Sequence, residues 1–300
     1  MAVLSETQRR KAVDYIKAHA RPLEQALYAY HFESGPLEAV LGELAQFQNP
    51  DGGFGRALEP DTRLDESSVL ATTVAFQHFR ELGVPAEHPL VQAGARYLLD
   101  SYDPEQHVWQ IIPPNIDDAA HAPWWEYSGD PAKMRANPRA EILGYLYDYP
   151  QLFPAELREA LTSEQLEYGA SQHEIEMHEL LCYVRLVETK ALPAELRKRF
   201  LAFVRPAVEH TVGRDPAKWG EYGLTPLTVV SSPRSLFFPD FADLIPLNIA
   251  RDAAAQSEEG FWQPPWSWAF ASEAGWQAAE RDLRGVFTLS NLLAEKRFGQ

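Results

Sequence analysis

The chain has 300 residues, of which 45% are hydrophobic, so it can bury a full core and is not expected to be disordered. Its formal net charge of −16 argues against nucleic acid or an acidic membrane surface as a partner. The single cysteine, Cys182, excludes an internal disulfide framework and suits a reducing compartment. The sequence shows no signal-peptide pattern and no bilayer-spanning apolar run, so we predict a cytoplasmic protein without an integral membrane segment.

The first third of the chain predicts five helices. One begins at Ser5, where Gln8 stands at the capping-box position. Apolar periodicity then predicts helices over residues 22–32, 36–48, 66–82 and 88–102. We expect Asp65, Glu66, Ser67 and Ser68 to form the start of the fourth of these helices, with Asp65 as its cap and Glu66 matched to its dipole, and Gly83 to end it.

The rest of the chain alternates amphipathic helices with more apolar ones. They are predicted over residues 139–149, 155–170, 174–188, 194–212, 241–257 and 272–296. Turns that carry an aromatic residue are predicted at residues 49–54, 103–109, 215–219 and 258–262. The segment 213–240 fits the alternation least well, because it is rich in Thr, Val, Ser and Pro. The pattern indicates an internal repeat of roughly 50 residues.

The clearest turn lies between the third and fourth predicted helices and has the sequence QNPDGGF, residues 48–54. Asn and Asp bond nearby backbone amides, and Gly supplies positive φ. The segment resembles the QW turn (Gln-x-x-Asp-Gly-Gly-Phe/Trp) of the terpenoid cyclase and protein prenyltransferase family, to which squalene–hopene cyclase-like proteins belong. The resemblance implies an all-α fold, an (α/α)6 toroid of inner and outer helix rings with long aromatic loops on one face. About six helical hairpins would use the whole chain, so we predict a single domain over residues 1–300.

One acidic segment, NIDDAA at residues 115–120, is a candidate for catalysis. It resembles the Asp-x-Asp-Asp-Thr-Ala motif of class II terpene cyclases, with substitutions at the first and fifth positions. The resemblance implies that Asp117 protonates an alkene or epoxide, with Asp118 and His121 as its partners. The alternative is a turn in which these side chains bond nearby amides.

A second acidic segment precedes the fourth helix and contains Glu59, Asp61, Asp65 and Glu66. Asp65 and Glu66 stand at the head of an apolar helix, the setting that the class II resemblance implies for the acid. The alternative is helix capping. Paired carboxylates would also fit glycoside hydrolysis, for which Glu59, Asp61 and Asp118 are candidates.

Aromatic side chains in the loops are candidate substrate contacts, because ring faces stabilise carbocations and stack on apolar or sugar-ring faces. The candidates are Trp124, Trp125, Tyr222, Trp262, Trp266 and Trp268. The alternative is that these rings fill the open end of the fold.

We predict no cofactor and no metal. His178 and Cys182 stand four residues apart and would share a helix face, but the zinc ligand set of prenyltransferases is not recognisable here. A buried thiol is the expected outcome. The chain contains no P-loop, dinucleotide fingerprint or nucleophile elbow.

Three functions follow from these patterns. The first is a class II cyclase-like enzyme that acts on a small isoprenoid or other apolar substrate, with Asp117 or Asp65 as the acid. The second is a carbohydrate-active α/α toroid of the glycoside hydrolase or lyase type, and the third is a non-enzymatic binding or scaffold toroid. An apolar cavity would favour the first and an open polar groove the second. Because large class II cyclases use two helical domains, a homodimer that completes the pocket is a further expectation.

Overall fold

The computed structural model describes residues 4–299, and α-helices dominate this range, which confirms the all-α prediction. The thirteen α-helices of the described residues are α1 Glu6–His19, α2 Pro22–Phe32, α3 Leu37–Ala45, α4 Val69–Leu82, α5 Pro89–Asp100, α6 Arg139–Asp148, α7 Ala155–Ser171, α8 Met177–Val187, α9 Ala194–Thr211, α10 Pro226–Val229, α11 Phe238–Phe241, α12 Ile245–Ala254 and α13 Glu273–Phe298. Two short antiparallel strands form a hairpin, β1 Tyr102–Asp103 and β2 Val108–Trp109. Short 3₁₀ helices occupy Ile116–Asp118, Pro123–Trp125, Pro131–Met134 and Pro216–Lys218. Within residues 4–299, none of the helices combines the length and hydrophobicity needed to cross a membrane.

Two predicted helix-end signals are confirmed. The Ser5 hydroxyl accepts a hydrogen bond from the Gln8 N–H at 3.2 Å, and the Gln8 side chain accepts one from the Ser5 N–H at 3.0 Å. This reciprocal pair is the capping box expected at the start of α1. Gly83 adopts the left-handed conformation with φ +68° and ends α4.

The start of α4 differs from the prediction. The helix begins at Val69, and Ser68 is its N-cap, with a hydroxyl that accepts from the Ala71 N–H at 3.0 Å. Asp65 and Glu66 precede the cap and have exposed side chains. The carbonyl of Asp65 accepts instead from the Asn49 side-chain amide at 2.9 Å, so the preceding turn holds this segment outside the helix. The prediction that Asp65 caps α4 is therefore wrong.

Contacts within the chain define two compact units. The first contains the residues up to Gln46 and the residues from Val212 onwards, and the second is Phe47–Thr211. In the first unit α13 packs against α1, α2 and α12, and α2 packs against α3. In the second unit α6 packs against α4, α7 and α8, and α9 packs against α7 and α8. The toroid over residues 1–300 stays a prediction.

The turn at residues 48–54 is closed by one glutamine side chain. Gln48 Nε2 donates to the carbonyl of Gly52 at 2.9 Å and to the carbonyl of Leu90, in α5, at 3.0 Å. Gly52 has φ +89°, a conformation that favours glycine. The ring of Phe54 is fully buried. The glutamine therefore fixes the shape of the turn and ties it to α5.

A second turn, at residues 256–262, is built by the same hydrogen bonds. Gln256 Nε2 donates at 2.9 Å both to the carbonyl of Gly260 and to the carbonyl of Gln8, in α1. Gly260 has φ +102°. The sequence predicted a turn over residues 258–262 but did not identify Gln256 as its start.

The aromatic residue two positions after each glycine is held in the same way. The Phe54 N–H donates to the Thr72 hydroxyl of α4 at 3.0 Å, and the Trp262 N–H donates to the Thr288 hydroxyl of α13 at 3.4 Å. Each threonine hydroxyl donates to a carbonyl one turn earlier in its own helix. The carbonyl that accepts from the glutamine belongs to α5 in the first turn and to α1 in the second. In the second turn, α1 is therefore the equivalent of α5 in the first.

Alanine at either turn glycine should destabilise the fold. A Cβ on Gly52 would lie 2.4 Å from the Ala93 carbonyl oxygen, and one on Gly260 would lie 2.4 Å from that of Lys11. Because both glycines also have positive φ, we expect each substitution to lower the free energy of unfolding by about 2 kcal/mol or more. The measurement is urea unfolding followed by circular dichroism. The matched control is Gly42→Ala within α3, where the new Cβ meets open space and should be neutral or slightly stabilising. A Gly52→Ala variant with the wild-type midpoint would contradict this account.

Candidate active site

The two acidic segments predicted from the sequence are neighbours in the second unit. The Arg63 N–H donates to the carbonyl of Ala120 at 2.9 Å, and the Ala122 N–H donates to the carbonyl of Asp61 at 2.8 Å. These backbone hydrogen bonds join the segments around residues 61–63 and 120–122. The two segments would have to be adjacent in this way to contribute residues to one site.

Four of the six carboxylates on these segments are exposed. The Asp117 side chain is 88% exposed, and its Oδ1 lies 3.6 Å from His121 Nε2. Exposed side chains are also found at Asp65, Glu66 and Asp118, whereas Glu59 is half-buried and Asp61 is buried. The catalytic roles of these acids stay predictions.

A small apolar cluster lies where the two segments meet. Leu64, Ile112 and Ile116 are buried together, and Trp125 packs against them. The indole N–H of Trp125 is buried and donates to no acceptor within residues 4–299. Trp124, the neighbouring candidate, is 49% exposed.

The other predicted aromatic contacts lie in the first unit. Trp262 and Trp268 are buried, and Trp262 Nε1 donates to a backbone carbonyl of α12 at 2.6 Å, so both rings belong to the core of this unit. Trp266 is half-buried and meets Tyr222 edge to face, with ring centroids 6.3 Å apart. A cavity shared by these rings and the acids of the second unit stays a prediction.

A polar pocket of about 480 Å³ lies elsewhere in the second unit. We call it the Glu164 pocket. Its lining residues all have polar side chains, and they come from the β1–β2 hairpin loop, the segment before α6, the start of α6 and one face of α7: Glu105, Gln106, His107, Arg135, Arg139, Glu164, Glu167 and Tyr168. None of these residues was predicted as a site residue.

The hairpin loop carries His107 to the pocket. The Asp103 carboxylate accepts from the N–H groups of Glu105 and Gln106 at 2.8 and 3.0 Å, which shapes the loop. Trp109 is fully buried and its Nε1 donates to a carbonyl of α5 at 2.6 Å, which anchors the hairpin. His107 has φ +56°, an uncommon conformation for a residue with a side chain. Such strain is often found at functional sites.

Glu164 of α7 connects His107 to a buried arginine. Its Oε1 lies 2.6 Å from His107 Nδ1, and its Oε2 is paired with Nη2 of Arg139. The Arg139 side chain is only 3% exposed, and a guanidinium removed from water needs an anion beside it. Because an ionised carboxylate only accepts hydrogen bonds, His107 Nδ1 must carry the proton of this pair. The other ring nitrogen, Nε2, is then a hydrogen-bond acceptor when the ring is neutral.

Glu179 of α8 supports the opposite wall of the pocket. Its carboxylate accepts from the Tyr168 hydroxyl at 3.1 Å and from the Ala136 N–H at 3.3 Å. Burial, together with the Glu179 charge, raises the pKa of Tyr168 to about 12. Burial also raises the pKa of Glu179. Tyr168 therefore presents a protonated phenol to the pocket at neutral pH.

A second buried polar group, Glu141 of α6, holds the core of this unit together. Its Oε1 accepts from Gln77 Nε2 at 2.8 Å and from the Tyr145 hydroxyl at 2.5 Å. Its Oε2 accepts from Arg185 Nη1 at 2.8 Å and lies 3.8 Å from Cys182 Sγ. Helices α4, α6 and α8 thus meet at one carboxylate, and the predicted buried thiol is found there.

The residues considered for zinc do not converge. His178 Nδ1 lies 2.7 Å from a carboxylate oxygen of Glu176, whereas the Cys182 thiol faces Glu141 and Asn137. Within residues 4–299, no three His, Cys, Asp or Glu side chains are placed to hold a metal ion together.

No protein-family model matches the chain, and no curated protein matches it.

Replacing Glu141 should destabilise the second unit. Glu141→Gln keeps the shape but removes the charge beside Arg185, whose side chain is 38% exposed and so keeps part of its hydration. We expect the free energy of unfolding to fall by about 2 kcal/mol, measured by urea unfolding. Glu156→Gln, an exposed change in the first turn of α7, is the control and should stay within about 0.5 kcal/mol of wild type. Equal midpoints for the two variants would contradict the role assigned to Glu141.

The thiol of Cys182 should react slowly in the folded protein. Burial, and next the nearby Glu141 carboxylate, raise its pKa well above the ordinary thiol value, so little reactive thiolate forms. We expect labelling by a disulfide reagent to be slower than in urea by on the order of 100-fold. The Glu141→Gln variant should label faster than wild type because it weakens the contact between α6 and α8. Rapid labelling of the folded wild type would show that the site is open.

Proposed function

We propose that the Glu164 pocket is the active site of an acid–base enzyme that acts on a polar, hydroxylated substrate of the carbohydrate class. The observation that carries this proposal is the chain of contacts from Arg139 through Glu164 to His107 at the wall of the pocket. An imidazole oriented by a carboxylate is a common arrangement for proton transfer in enzymes. Fold alone would not support a function, so the proposal depends on this site.

In the proposed reaction His107 is the general base. Its Nε2 lone pair takes a proton from a substrate hydroxyl or from a bound water, while Nδ1–H keeps its hydrogen bond to Glu164. The carboxylate holds the ring in the tautomer with a free Nε2 and stabilises the imidazolium that forms. The Tyr168 hydroxyl donates its proton to Glu179, so its oxygen is available to accept a hydrogen bond from a substrate hydroxyl.

The lining of the pocket supports a hydroxylated substrate. Gln106, Glu105 and Glu167 offer acceptors for hydroxyl protons, and Arg135 offers donors. None of the lining residues has an aliphatic side chain, so the pocket is poorly suited to an isoprenoid chain. A carbohydrate-active enzyme was one of the functions predicted from the sequence, with Glu59, Asp61 and Asp118 as candidates. The pocket supports the same class of substrate but with His107 and Glu164.

A class II cyclase-like enzyme remains a second proposal. What supports it is the apolar cluster of Leu64, Ile112 and Ile116, which packs where the two acidic segments meet. The two glutamine turns also support a relationship to the terpenoid cyclase family. Each has a glutamine four residues before a positive-φ glycine and an aromatic residue two positions after that glycine. A binding site for an apolar substrate at this cluster would support it further.

The test is turnover of a panel of neutral sugars, sugar acids and nitrophenyl glycosides, followed by NMR and absorbance. On a substrate that the wild type converts, we expect His107→Gln to lower kcat/KM by about 10²- to 10⁴-fold. Glu164→Gln should lower kcat more than it raises KM and should alter the pH–rate profile. It removes the carboxylate that keeps the proton of His107 on Nδ1 and stabilises the imidazolium.

The controls are His173→Gln and Glu159→Gln, both exposed positions of the second unit outside the pocket. Circular dichroism would verify that all four variants are folded. Full activity of folded His107→Gln would overturn the proposal, and so would the absence of turnover for every member of the panel.

A further inference from the structure

Arg135 lies in the Glu164 pocket without a counter-ion. Its guanidinium is exposed and pairs with no carboxylate within residues 4–299, although three glutamates line the same pocket. Its backbone is held in place, since its carbonyl accepts from Gln165 Nε2 at 2.8 Å. An arginine presented on a fixed segment, beside a pocket, is suited to bind an anionic group of a ligand.

Arg139 lines the same pocket, but its guanidinium is held by the protein. Its side chain is 3% exposed, and its Nη2 is paired with Glu164. Its Nε–H donates to no acceptor within the described residues, but this atom is closed to solvent and therefore also to a ligand oxygen. Arg139 thus contributes positive charge at the pocket wall, and Arg135 is the arginine that a ligand can contact.

We infer that the ligand of this pocket is a sugar acid whose carboxylate is bound by Arg135 beside Arg139. This inference rests on the proposed function and assigns its substrate class. The exposed Arg135 guanidinium gives donors in the planar geometry that suits a carboxylate.

The remaining glutamates account for the sugar part of the ligand. Glu164 is already bound to Arg139 and His107, so its charge is compensated within the protein. Glu105 and Glu167 have exposed side chains, where water and salt weaken their repulsion of an anion. Their oxygens can accept hydrogen bonds from ligand hydroxyls. A small dicarboxylate without hydroxyls would leave these acceptors unused.

The experiment compares three probes by isothermal titration calorimetry with the full chain: D-glucuronate, D-glucose and D-glucose 6-phosphate. We expect glucuronate to bind the wild type at least about tenfold more tightly than glucose, because only glucuronate has the carboxylate. Arg135→Gln should remove this preference. Arg96→Gln, an exposed arginine of α5 outside the pocket, is the matched control and should keep it.

Equal affinity of the wild type for glucuronate and glucose would overturn the inference, as would a preference that survives Arg135→Gln. Tighter binding of glucose 6-phosphate than of glucuronate would overturn it by assigning the subsite to phosphate. Failure of all three probes to bind would overturn it as well.

The proposed function can fail or stand separately. If neutral sugars are turned over, folded His107→Gln abolishes this turnover and glucuronate binds no more tightly than glucose, the proposed function stands while the sugar-acid assignment falls. If folded His107→Gln keeps full activity, the proposed function falls, whatever the affinity for glucuronate.

Discussion

The pairing of the buried Arg139 guanidinium with Glu164 is the constraint on which the pocket depends. Arg139 begins α6, a helix whose first eight residues are all buried, so its charge must be compensated inside the protein. Glu164 does this from α7 and thereby loses its freedom to rotate. Its second oxygen is then fixed where the hairpin loop presents His107. A requirement of folding, the compensation of one buried cation, thus places and orients the proposed base.

The helical framework follows from a different constraint, the closure of tight turns by glutamine. Both turns use a glutamine bonded to a positive-φ glycine and to another helix, α5 in the first turn and α1 in the second, and both fix an aromatic residue by a threonine hydroxyl. The sequence predicted the first turn because Asn, Asp and two glycines are strong local signals. It missed the start of the second because Gln256 is followed by Ser-Glu-Glu, a weaker turn signal than the Asn-Pro-Asp-Gly-Gly of the first turn. Most helices were also predictable, since periodicity is local. The position of Asp65 outside α4 was not, because its carbonyl is bonded to Asn49, 16 residues earlier in the chain.

The site was much less predictable than the helices. His107 and Glu164 are separated by 57 positions, and no periodicity or motif relates them. Nothing in the sequence distinguishes Arg139 from the other arginines, and its burial is a property of the packed helices. Asp117 and Asp118, which were predicted as catalytic acids, are adjacent in the sequence, yet their side chains are exposed. Composition marks where acids occur, but only packing determines which of them are desolvated and paired.

The central claim is that Glu164 sets the tautomer of His107, and NMR of the ¹⁵N-labelled histidine ring tests it most directly. At a pH where the ring is neutral, the account predicts that the proton of wild-type His107 is on Nδ1 and that Nε2 has the chemical shift of an unprotonated nitrogen. In Glu164→Gln the proton should move partly or wholly to Nε2. The account would be contradicted if His107 carried its proton on Nε2 in the wild type, because the proposed base would then have no lone pair to offer the substrate.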